Sequence, residues 1–522
     1  MKSNKAAKSA KSAIIIVIFT LGSKLLGFFR EMLIASKFGS SVETDTFFIA
    51  LSAAGLIGNF LNNAISTTFI PVISEVEAKE GKEGKIKHTN NILNIIFFAT
   101  LILTILSLIC APLLVKLLAS GFQGEQFDLA VKLTKIGLPM IVFSGLIGVM
   151  VGYLQSEEKY RATALMGFPL NLIYIMFLLF FSNTFGIKGL MIVGVLAVSS
   201  QLLIQIPEAK ECGFKYKFTF DIKDVYVKKI LYLSMPILIG VAIGDINAII
   251  DKTLASSLEP GSISALNYAN KLNSLILGVF ITAITTVIFP LLAKEANTNN
   301  IIGLKRTMKY GINLILLITI PATVGLVILS RPIVEIAFQR GEFGTTATLM
   351  TSQALIFYSL GLIAMAIRLL ITRVYYSLQS TRIPMINGAI SVGLNVVLNL
   401  IFVKYMAHSG LALATSIATT IATIMLFYGL KKKIGSLGTK QYIITLLKTG
   451  LASAIMGLIA YVTYHGLYGL LGVSKIYNLI SLLVAVGLGV IIYAVLCYVF
   501  KVEEVRDVVN QIKKRIIKIN KK

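Results

Sequence analysis

The chain has 522 residues, of which 56% are hydrophobic and only 14% are charged. Soluble domains carry about 25% charged residues, so this composition excludes an ordinary soluble enzyme or binding domain. The net charge of +25 would suggest a nucleic-acid partner in a soluble chain, but here the basic residues lie mainly between long apolar segments. The sequence therefore predicts an all-α membrane protein that crosses the bilayer many times and binds no nucleic acid.

Fourteen apolar segments are long enough to cross a bilayer, which takes about 20 residues per helix. Because unpaired backbone groups are too costly in lipid, runs of this length predict transmembrane helices. The segments lie near residues 13–35, 46–73, 89–118, 130–155, 162–182, 187–207, 227–254, 263–292, 308–330, 346–379, 383–406, 410–430, 441–464 and 476–500. They are numbered here as spans one to fourteen.

The distribution of basic residues predicts the orientation. With the amino terminus in the cytoplasm, the cytoplasmic segments hold 33 of the 49 Lys and Arg residues and the outer loops hold six. Cytoplasmic loops carry such an excess, so we predict that both termini are cytoplasmic. The tail 501–522 has valine and isoleucine at helical spacing with lysines between them, which predicts an amphipathic helix on anionic lipids of the inner leaflet.

An internal repeat divides the spans. The segment "YLQS" precedes Asn171 and the segment "YSLQS" precedes Asn395, at an offset of 224 residues, and "FIPVISE" resembles "FPLLAKE" at an offset near 220. Six spans per repeat give both halves the same orientation, so we predict two six-helix lobes related by a parallel pseudo-two-fold repeat. The predicted parts are an N-lobe (1–225), a C-lobe (226–440), two extra helices (441–500) and the basic tail (501–522).

Span one contains Lys24, Arg30 and Glu31. A charge at the bilayer centre costs roughly 2.5–3.5 kcal/mol on insertion scales, so it needs a partner or a wet cavity. On a helical wheel the three charges fall on one side and Leu25 and Phe29 fall on the other. We therefore predict that the charged stripe lines a cavity, with snorkelling to an interface as the alternative for Arg30 and Glu31.

Three other spans add polar faces. Span seven repeats the charge spacing of span one with reversed signs, and spans two and eight each carry a polar face at helical spacing. The residues are Asp245, Asp251 and Lys252 in span seven, Asn59, Asn62, Asn63 and Ser66 in span two, and Asn267, Asn270, Lys271 and Ser274 in span eight. These faces either form hydrogen bonds between helices or line a net cationic cavity between the lobes. Such a cavity suits a phosphate-bearing substrate, with Arg368 of span ten as a further lining residue.

The opening sequence "SKLLGFFREMLIASKFG", then "ETDTFFIA" and "FIPVISE", resembles the start of the MurJ (MviN) lipid II flippase family. Further similar segments are "YANKLNSLILGVFITAITTVIFPLLAKE" and "LQSTRIP". This family belongs to the multidrug/oligosaccharidyl-lipid/polysaccharide exporter superfamily. The resemblance implies fourteen helices in the bacterial cytoplasmic membrane, export by alternating access, a central cavity for the head group, and a groove for the lipid tail beside the last two helices.

The resemblance also implies roles for individual residues. Lys24, Arg30, Glu31, Asp45 and Lys271 stand at charged positions of the family's motifs, whereas Asn59 and Asn63 replace residues that are often charged. A sodium-site pattern of some members matches Asp251, Asn395, Asn399 and Thr415, with Asn399 in place of an acid. The alternative for Asn395 and Asn399 is a role in bridging helices. We add Asp245 as a second candidate for the coupling ion.

Several functions remain open from the sequence. The first hypothesis is a lipid II flippase for cell-wall synthesis, and the second is a flippase for another lipid-linked oligosaccharide, such as a capsule precursor. A drug/cation antiporter fits less well, because the stripe of span one is cationic. A membrane enzyme would need a reactive polar cluster, and the sequence has no such motif. We predict no cofactor, coupling to Na⁺ or the membrane potential, and function as a monomer.

Overall fold

The computed structural model describes the backbone of residues 2–472 and 474–506, and the side chains of residues 18–235, 246–472 and 474–506. Within these ranges the chain is helical and contains no strand. The predicted tail helix lies outside the described residues beyond Arg506, and so does the side chain of Asp245.

The chain divides into two compact units, of which the first comprises residues 1–264 and 340–344. Span seven belongs to this first unit, whereas the predicted N-lobe ends before it, at residue 225. The predicted boundary concerns the internal repeat and not compactness, so it stays a prediction. The helices of the first unit are α1 (Lys2–Phe38), α2 (Val42–Ile109), α3 (Ala111–Leu118), α4 (Gly124–Gly137), α5 (Met140–Ser156), α6 (Arg161–Leu165), α7 (Gly167–Phe180), α8 (Ser182–Leu203), α9 (Gln205–Glu211) and α10 (Val225–Ala255).

The second unit comprises residues 265–339 and 345–522. Its first helix starts three residues earlier, in the first unit, and continues through a short π-helical turn (Leu277–Ile281). The helices are α11 (Ser262–Ile276), α12 (Thr282–Asn297), α13 (Ile301–Ile328), α14 (Ser330–Phe338), α15 (Thr345–Leu360), α16 (Leu362–Ser377), α17 (Arg382–Ile434), α18 (Thr439–Leu471) and α19 (Lys475–Val499).

The helix lengths agree with the predicted spans. Nine helical stretches of the described residues are long and apolar enough to cross a membrane, and the bent pair α15–α16 makes a tenth. Two of these stretches turn back on themselves, because Gly81 breaks α2 with a φ of 70° and Ala407 breaks α17 with a φ of 47°. Counting each half of α2 and α17 separately, these ten stretches give twelve spans. The helices α1 and α10, whose side chains are described only in part, bring the number to fourteen, which is consistent with the predicted count.

The helix boundaries show the internal duplication directly. Breaks and starts recur 221 residues apart: Gly186 and Ala407 interrupt α8 and α17, Gly124 and Thr345 begin α4 and α15, and α6 and α17 begin at Arg161 and Arg382. The offset of 224 taken from the "LQS" echo is therefore wrong by three residues, because α5 and α16 end at Ser156 and Ser377. Asn171 and Asn395 are accordingly not equivalent positions of the repeat.

Close helix packing in the first unit depends on one glycine face of α5. Gly145, Gly148 and Gly152 recur at helical spacing and face α2. A Cβ atom at Gly148 would lie 3.2 Å from Asn62 Cα, and one at Gly152 would lie 2.7 Å from the Phe69 ring. The glycines thus let the two helices approach and bring the polar face of α2 next to α5.

Candidate functional site

The first unit contains a polar cavity of about 460 Å³. Its wall is formed by α2, α5, α7, α8 and α10, with both apolar and polar side chains. The polar lining residues are Ser52, Asn59, Asn62, Ser144, Gln201 and Lys252. The predicted Asn59 therefore lines a cavity, and Asn63, which is exposed, is not among its lining residues.

Lys252 is the charged side chain among the lining residues of this cavity. Its Nζ donates a hydrogen bond to Ser52 Oγ on α2, and Ser52 Oγ donates to Phe48 O. This contact joins α2 to α10 and holds an ammonium group at the cavity wall. The sequence marks Lys252 only as part of the charge pattern of span seven and does not predict it as a site residue, because its cavity neighbours come from distant segments.

Arg30 forms a buried ion pair with its neighbour in the chain. Arg30 Nη2 lies 2.8 Å from Glu31 Oε1, and the exposed fractions of the two side chains are 16% and 4%. The guanidinium carbon lies 5.0 Å from the centroid of the Tyr174 ring on α7, a cation–π contact. Tyr174 Oη and Met140, which lines the cavity, both lie next to Gly194 of α8.

The rest of the charged face of α1 packs against α7. Asn171 Nδ2 donates to Ser23 O at 3.1 Å, and Gly27 lies opposite the same amide. On the other side of α1, Leu25 and Phe29 are 60% and 43% exposed. Arg30 and Glu31 thus turn away from lipid, and the half-buried Lys24 follows the same face. That this stripe lines a substrate cavity stays a prediction, since the cavity described above is lined by other residues.

Asp45 caps the start of α11 in the structure. Its Oδ2 accepts from Gly261 N at 2.7 Å and its Oδ1 accepts from Ser264 N at 2.7 Å and from Ser264 Oγ. A carboxylate at a helix amino terminus satisfies free N–H groups and interacts favourably with the helix dipole. Both carboxylate oxygens are thus used within the fold, which gives Asp45 a structural role beside the predicted contact with substrate.

In the second unit, the predicted residues of α11 form a partly exposed polar face. Asn270 is exposed and accepts a hydrogen bond from Ser274 Oγ at 3.2 Å, and Lys271 is half-buried. Arg368 on α16 donates from Nη1 to Ser391 Oγ on α17 at 3.3 Å. The structure therefore places Lys271 and Arg368 in the same unit, and a cavity shared by the two lobes stays a prediction.

Three of the predicted ion-coupling residues lie together in α17. Asn395 Nδ2 donates to Thr415 Oγ1 at 3.1 Å, and Asn399 Nδ2 donates to Asn395 Oδ1 at 2.7 Å. Asn395 and Asn399 are buried, with exposed fractions of 2% and 0%. The Asn395–Thr415 bond joins the two halves of α17 across the break at Ala407, as the helix-bridging interpretation expects, and Asn399 supports Asn395 within the first half. Asp251 belongs to the first unit.

A second buried charge cluster lies outside the predicted spans and was missed by the sequence reading. Lys85 is only 1% exposed, and its Nζ lies 2.7 Å from Glu77 Oε2 and 2.5 Å from Glu157 Oε1. The same ammonium lies 5.6 Å from the centroid of the Tyr153 ring. The cluster ties the turn after span two to the end of α5. No sequence signal marks it, because "EAKEGKEGKIKH" reads as an ordinary solvated turn.

The fold and the site define a class. A duplicated helical fold, buried charges inside the membrane helices and a cavity with polar groups in its wall are features of membrane transporters. A solved structure titled as an inward-facing MATE family transporter of the MOP superfamily is similar in fold, with a TM-score of 0.69 at 16% identity, over 81% of this chain and 99% of that chain.

The family model described as "Lipid II flippase MurJ" matches residues 34–484, and the chain belongs to this family. The structure titled "Lipid II flippase MurJ, inward closed conformation" is similar with a TM-score of 0.80 and 28% identity, covering 95% of this chain and 100% of that chain. The "Probable lipid II flippase MurJ" of Buchnera aphidicola (subsp. Baizongia pistaciae) is 29% identical over 87% of this chain and 89% of its own length. The "Probable lipid II flippase MurJ" of Vibrio cholerae serotype O1 is 30% identical, over 80% of this chain and 82% of its own length.

Proposed function

We propose that this chain is a flippase that moves lipid II from the inner to the outer leaflet of the bacterial cytoplasmic membrane by alternating access. The observation that carries the proposal is the family match over residues 34–484, since this range includes the N-lobe from the end of α1 onward, the C-lobe, α18 and part of α19. The family is one of transporters, so the chain is not an enzyme. Lipid II is a diphosphate-linked lipid, and its flipping supplies the precursor for peptidoglycan synthesis.

The charges support this proposal. Lys252 and the amides of Asn59, Asn62 and Gln201 present donors and acceptors that suit a polar head group. We propose that Lys24, Arg30 and Lys271 neutralise the diphosphate during the cycle, because cations with several donors pair well with phosphate. We further propose that both termini are cytoplasmic, that anionic lipids contact the basic tail, and that the protein works as a monomer.

The decisive experiment is complementation. A bacterial strain depleted of its own lipid II flippase receives this chain, and lipid II accessible at the outer surface is measured with an externally added probe. We expect growth and surface lipid II to return. If the chain inserts in normal amounts and surface lipid II stays absent, the proposal is wrong.

A second candidate substrate follows from span two. Asn59 and Asn62 line the cavity with neutral amides, whereas the resemblance implies charged residues in this segment. A flippase for another undecaprenyl-diphosphate-linked oligosaccharide is therefore the alternative. Complementation of a strain that lacks its capsule or exopolysaccharide flippase, without rescue of the lipid II strain, would favour it.

Coupling to Na⁺ or to the membrane potential is proposed to act through Asp251. We expect Asp251→Asn to weaken the dependence of flipping on sodium or on potential by roughly 5–150-fold, the usual range for coupled sites. Flipping in proteoliposomes with imposed sodium gradients or potentials measures this. Asp128→Asn, at an exposed carboxylate of α4, is the control and should leave the dependence unchanged. An unchanged dependence in Asp251→Asn would remove Asp251 from the coupling site.

A further inference from the structure

Residues 214–223 form a non-helical segment between α9 and α10, here called the strap, with the sequence "FKYKFTFDIK". Large apolar side chains occupy every second position and are exposed: Tyr216 60%, Phe218 64%, Phe220 43% and Ile222 61%. Lysines at 215, 217 and 223 lie between or beside them, and all three are exposed. Four consecutive exposed apolar residues at alternate positions are unusual for a segment in water and mark an interaction surface.

Three asparagine side chains of α2 donate hydrogen bonds to backbone carbonyl oxygens of the strap. Asn90 Nδ2 donates to Lys215 O, Asn94 Nδ2 donates to Thr219 O and Asn91 Nδ2 donates to Asp221 O, each at 2.9 Å. All three amides are buried, with exposed fractions of 1–3%. A non-helical backbone is tolerated near lipid only where the protein satisfies its polar groups. The amides supply partners for three such carbonyl groups.

The hydrogen bonds also show how the strap runs along α2. It begins level with Asn90, reaches Asn94 at Thr219, and returns to Asn91 at Asp221. Where the strap lies furthest along α2 from Asn90, the Phe220 ring packs edge-on against Phe98, with ring centroids 5.2 Å apart. Eight residues of helix separate Asn90 from Phe98, which is about 12 Å along the axis.

Phe98 belongs to the apolar part of α2 that crosses the membrane. Its neighbours Phe97, Leu101 and Ile102 are 36–59% exposed, as expected of a lipid-facing surface. The contact with Phe98 therefore places the tip of the strap, Phe218 to Phe220, at the edge of the apolar layer. The lysines before and after the tip lie nearer to the level of the phosphate groups.

At its far end the strap leads into the capped start of α10. Asp224 Oδ1 accepts from Tyr226 N at 2.8 Å, and its Oδ2 contacts His88 Nδ1 at 2.6 Å and accepts from Asn91 Nδ2 at 2.9 Å. Burial raises the pKa of Asp224, but the hydrogen bonds from Tyr226, His88 and Asn91 lower it more, so that the net pKa lies below its usual value. The strap is thus fixed at both ends.

We propose that the strap is a membrane anchor: its aromatic tip inserts into the bilayer interface, and Lys215, Lys217 and Lys223 bind the head groups of anionic phospholipids. Aromatic side chains favour the interface, and each lysine near an anionic surface adds attraction equivalent to a roughly fivefold enrichment. The partner is a lipid surface, and this interaction is independent of the transported substrate.

The absence of tryptophan from the chain gives a direct test of depth. The full-length Phe218→Trp variant in liposomes of phosphatidylethanolamine and phosphatidylglycerol contains a single tryptophan, at the tip, which can be excited selectively over the 20 tyrosines. We expect blue-shifted emission, strong quenching by lipids brominated near the head group, and protection from aqueous acrylamide. Phe180→Trp, at a 66% exposed position of α7, is the lipid reference, and Tyr160→Trp, in the loop before α6, is the aqueous reference. Emission at long wavelength with full acrylamide access would overturn the proposal.

The lysine contribution is tested in the same Phe218→Trp protein. Brominated phosphatidylglycerol at a low fraction should quench several-fold more than brominated phosphatidylcholine at the same fraction. Lys215→Gln, Lys217→Gln and Lys223→Gln together should bring the ratio close to one. The control removes the three exposed lysines 431–433 instead and matches the change in charge; it should leave the ratio unchanged. A ratio of one in the starting protein, or an equal loss in the control, would refute the role of the strap lysines.

Discussion

Arg30→Ala is expected to slow flipping strongly. The guanidinium is the donor-rich cation of the α1 stripe, and hydrogen bonds to charged groups contribute about 1.5–3 kcal/mol each, so its loss should slow lipid II exposure roughly 10–150-fold. Arg30→Lys should retain part of the activity, since it keeps the charge but loses the planar contact with Tyr174. The measurement is surface lipid II in the complementation strain, normalised to the amount of inserted protein.

A structural role of the pair must be separated from a role in transport. Removing Arg30 leaves Glu31, which is 3% exposed, without its cation, and breaking a buried pair costs about 3–5 kcal/mol. The double variant Arg30→Met/Glu31→Leu replaces the pair with apolar side chains of similar size and should recover the stability. We expect it to fold and still fail to flip lipid II.

Flipping by the double variant distinguishes a role of Arg30 in folding from a role in transport. If Arg30→Met/Glu31→Leu flips lipid II at the starting rate, the pair serves only folding and the assignment of Arg30 to substrate is wrong. Arg331→Ala is the matched control, because Arg331 is a 68% exposed arginine that also pairs with a glutamate. It should change both stability and flipping little, as is usual for exposed pairs.

Local periodicity is what the sequence could predict well. The helical repeat assigns each residue of a span to a face, so the exposed Leu25 and the buried Glu31 follow from spacing alone. The number of spans follows from segment length, and the duplication follows from echoes between the halves. The exact offset between the two repeats does not follow from the sequence, because the short "LQS" motif recurs three residues away from the structurally equivalent position.

The partners of these residues could not be predicted. Tyr174 lies 144 positions after Arg30, and Ser52 lies 200 positions before Lys252, so their contacts depend on how whole helices pack. Asp45 is a further case: the motif suggested a charged substrate ligand, while its hydrogen bonds go to the start of α11. A stripe pattern fixes which face is polar, and only tertiary structure decides whether that face meets another helix or a cavity.

Lys85→Met is expected to destabilise the first unit strongly. The ammonium is buried between Glu77 and Glu157, whose side chains are 41% and 16% exposed. Without it, two carboxylates face each other with no cation, and the loss from breaking a buried pair is about 3–5 kcal/mol, reduced to the extent that solvent reaches Glu77. Denaturation of the purified protein in one detergent measures the change in the free energy of unfolding.

The matched control is Lys79→Met, because Lys79 pairs with Glu75 in the same turn but is 61% exposed. Its pair is open to solvent and should contribute little to stability. The double variant Lys85→Met/Glu157→Gln should recover much of the stability, since it removes the buried charge that the single variant leaves uncompensated. Equal effects of Lys85→Met and Lys79→Met would show that the cluster is open to water and that the burial of Lys85 does not determine its contribution. A large loss for Lys85 alone would instead show that this buried cation holds the turn after span two against the end of α5.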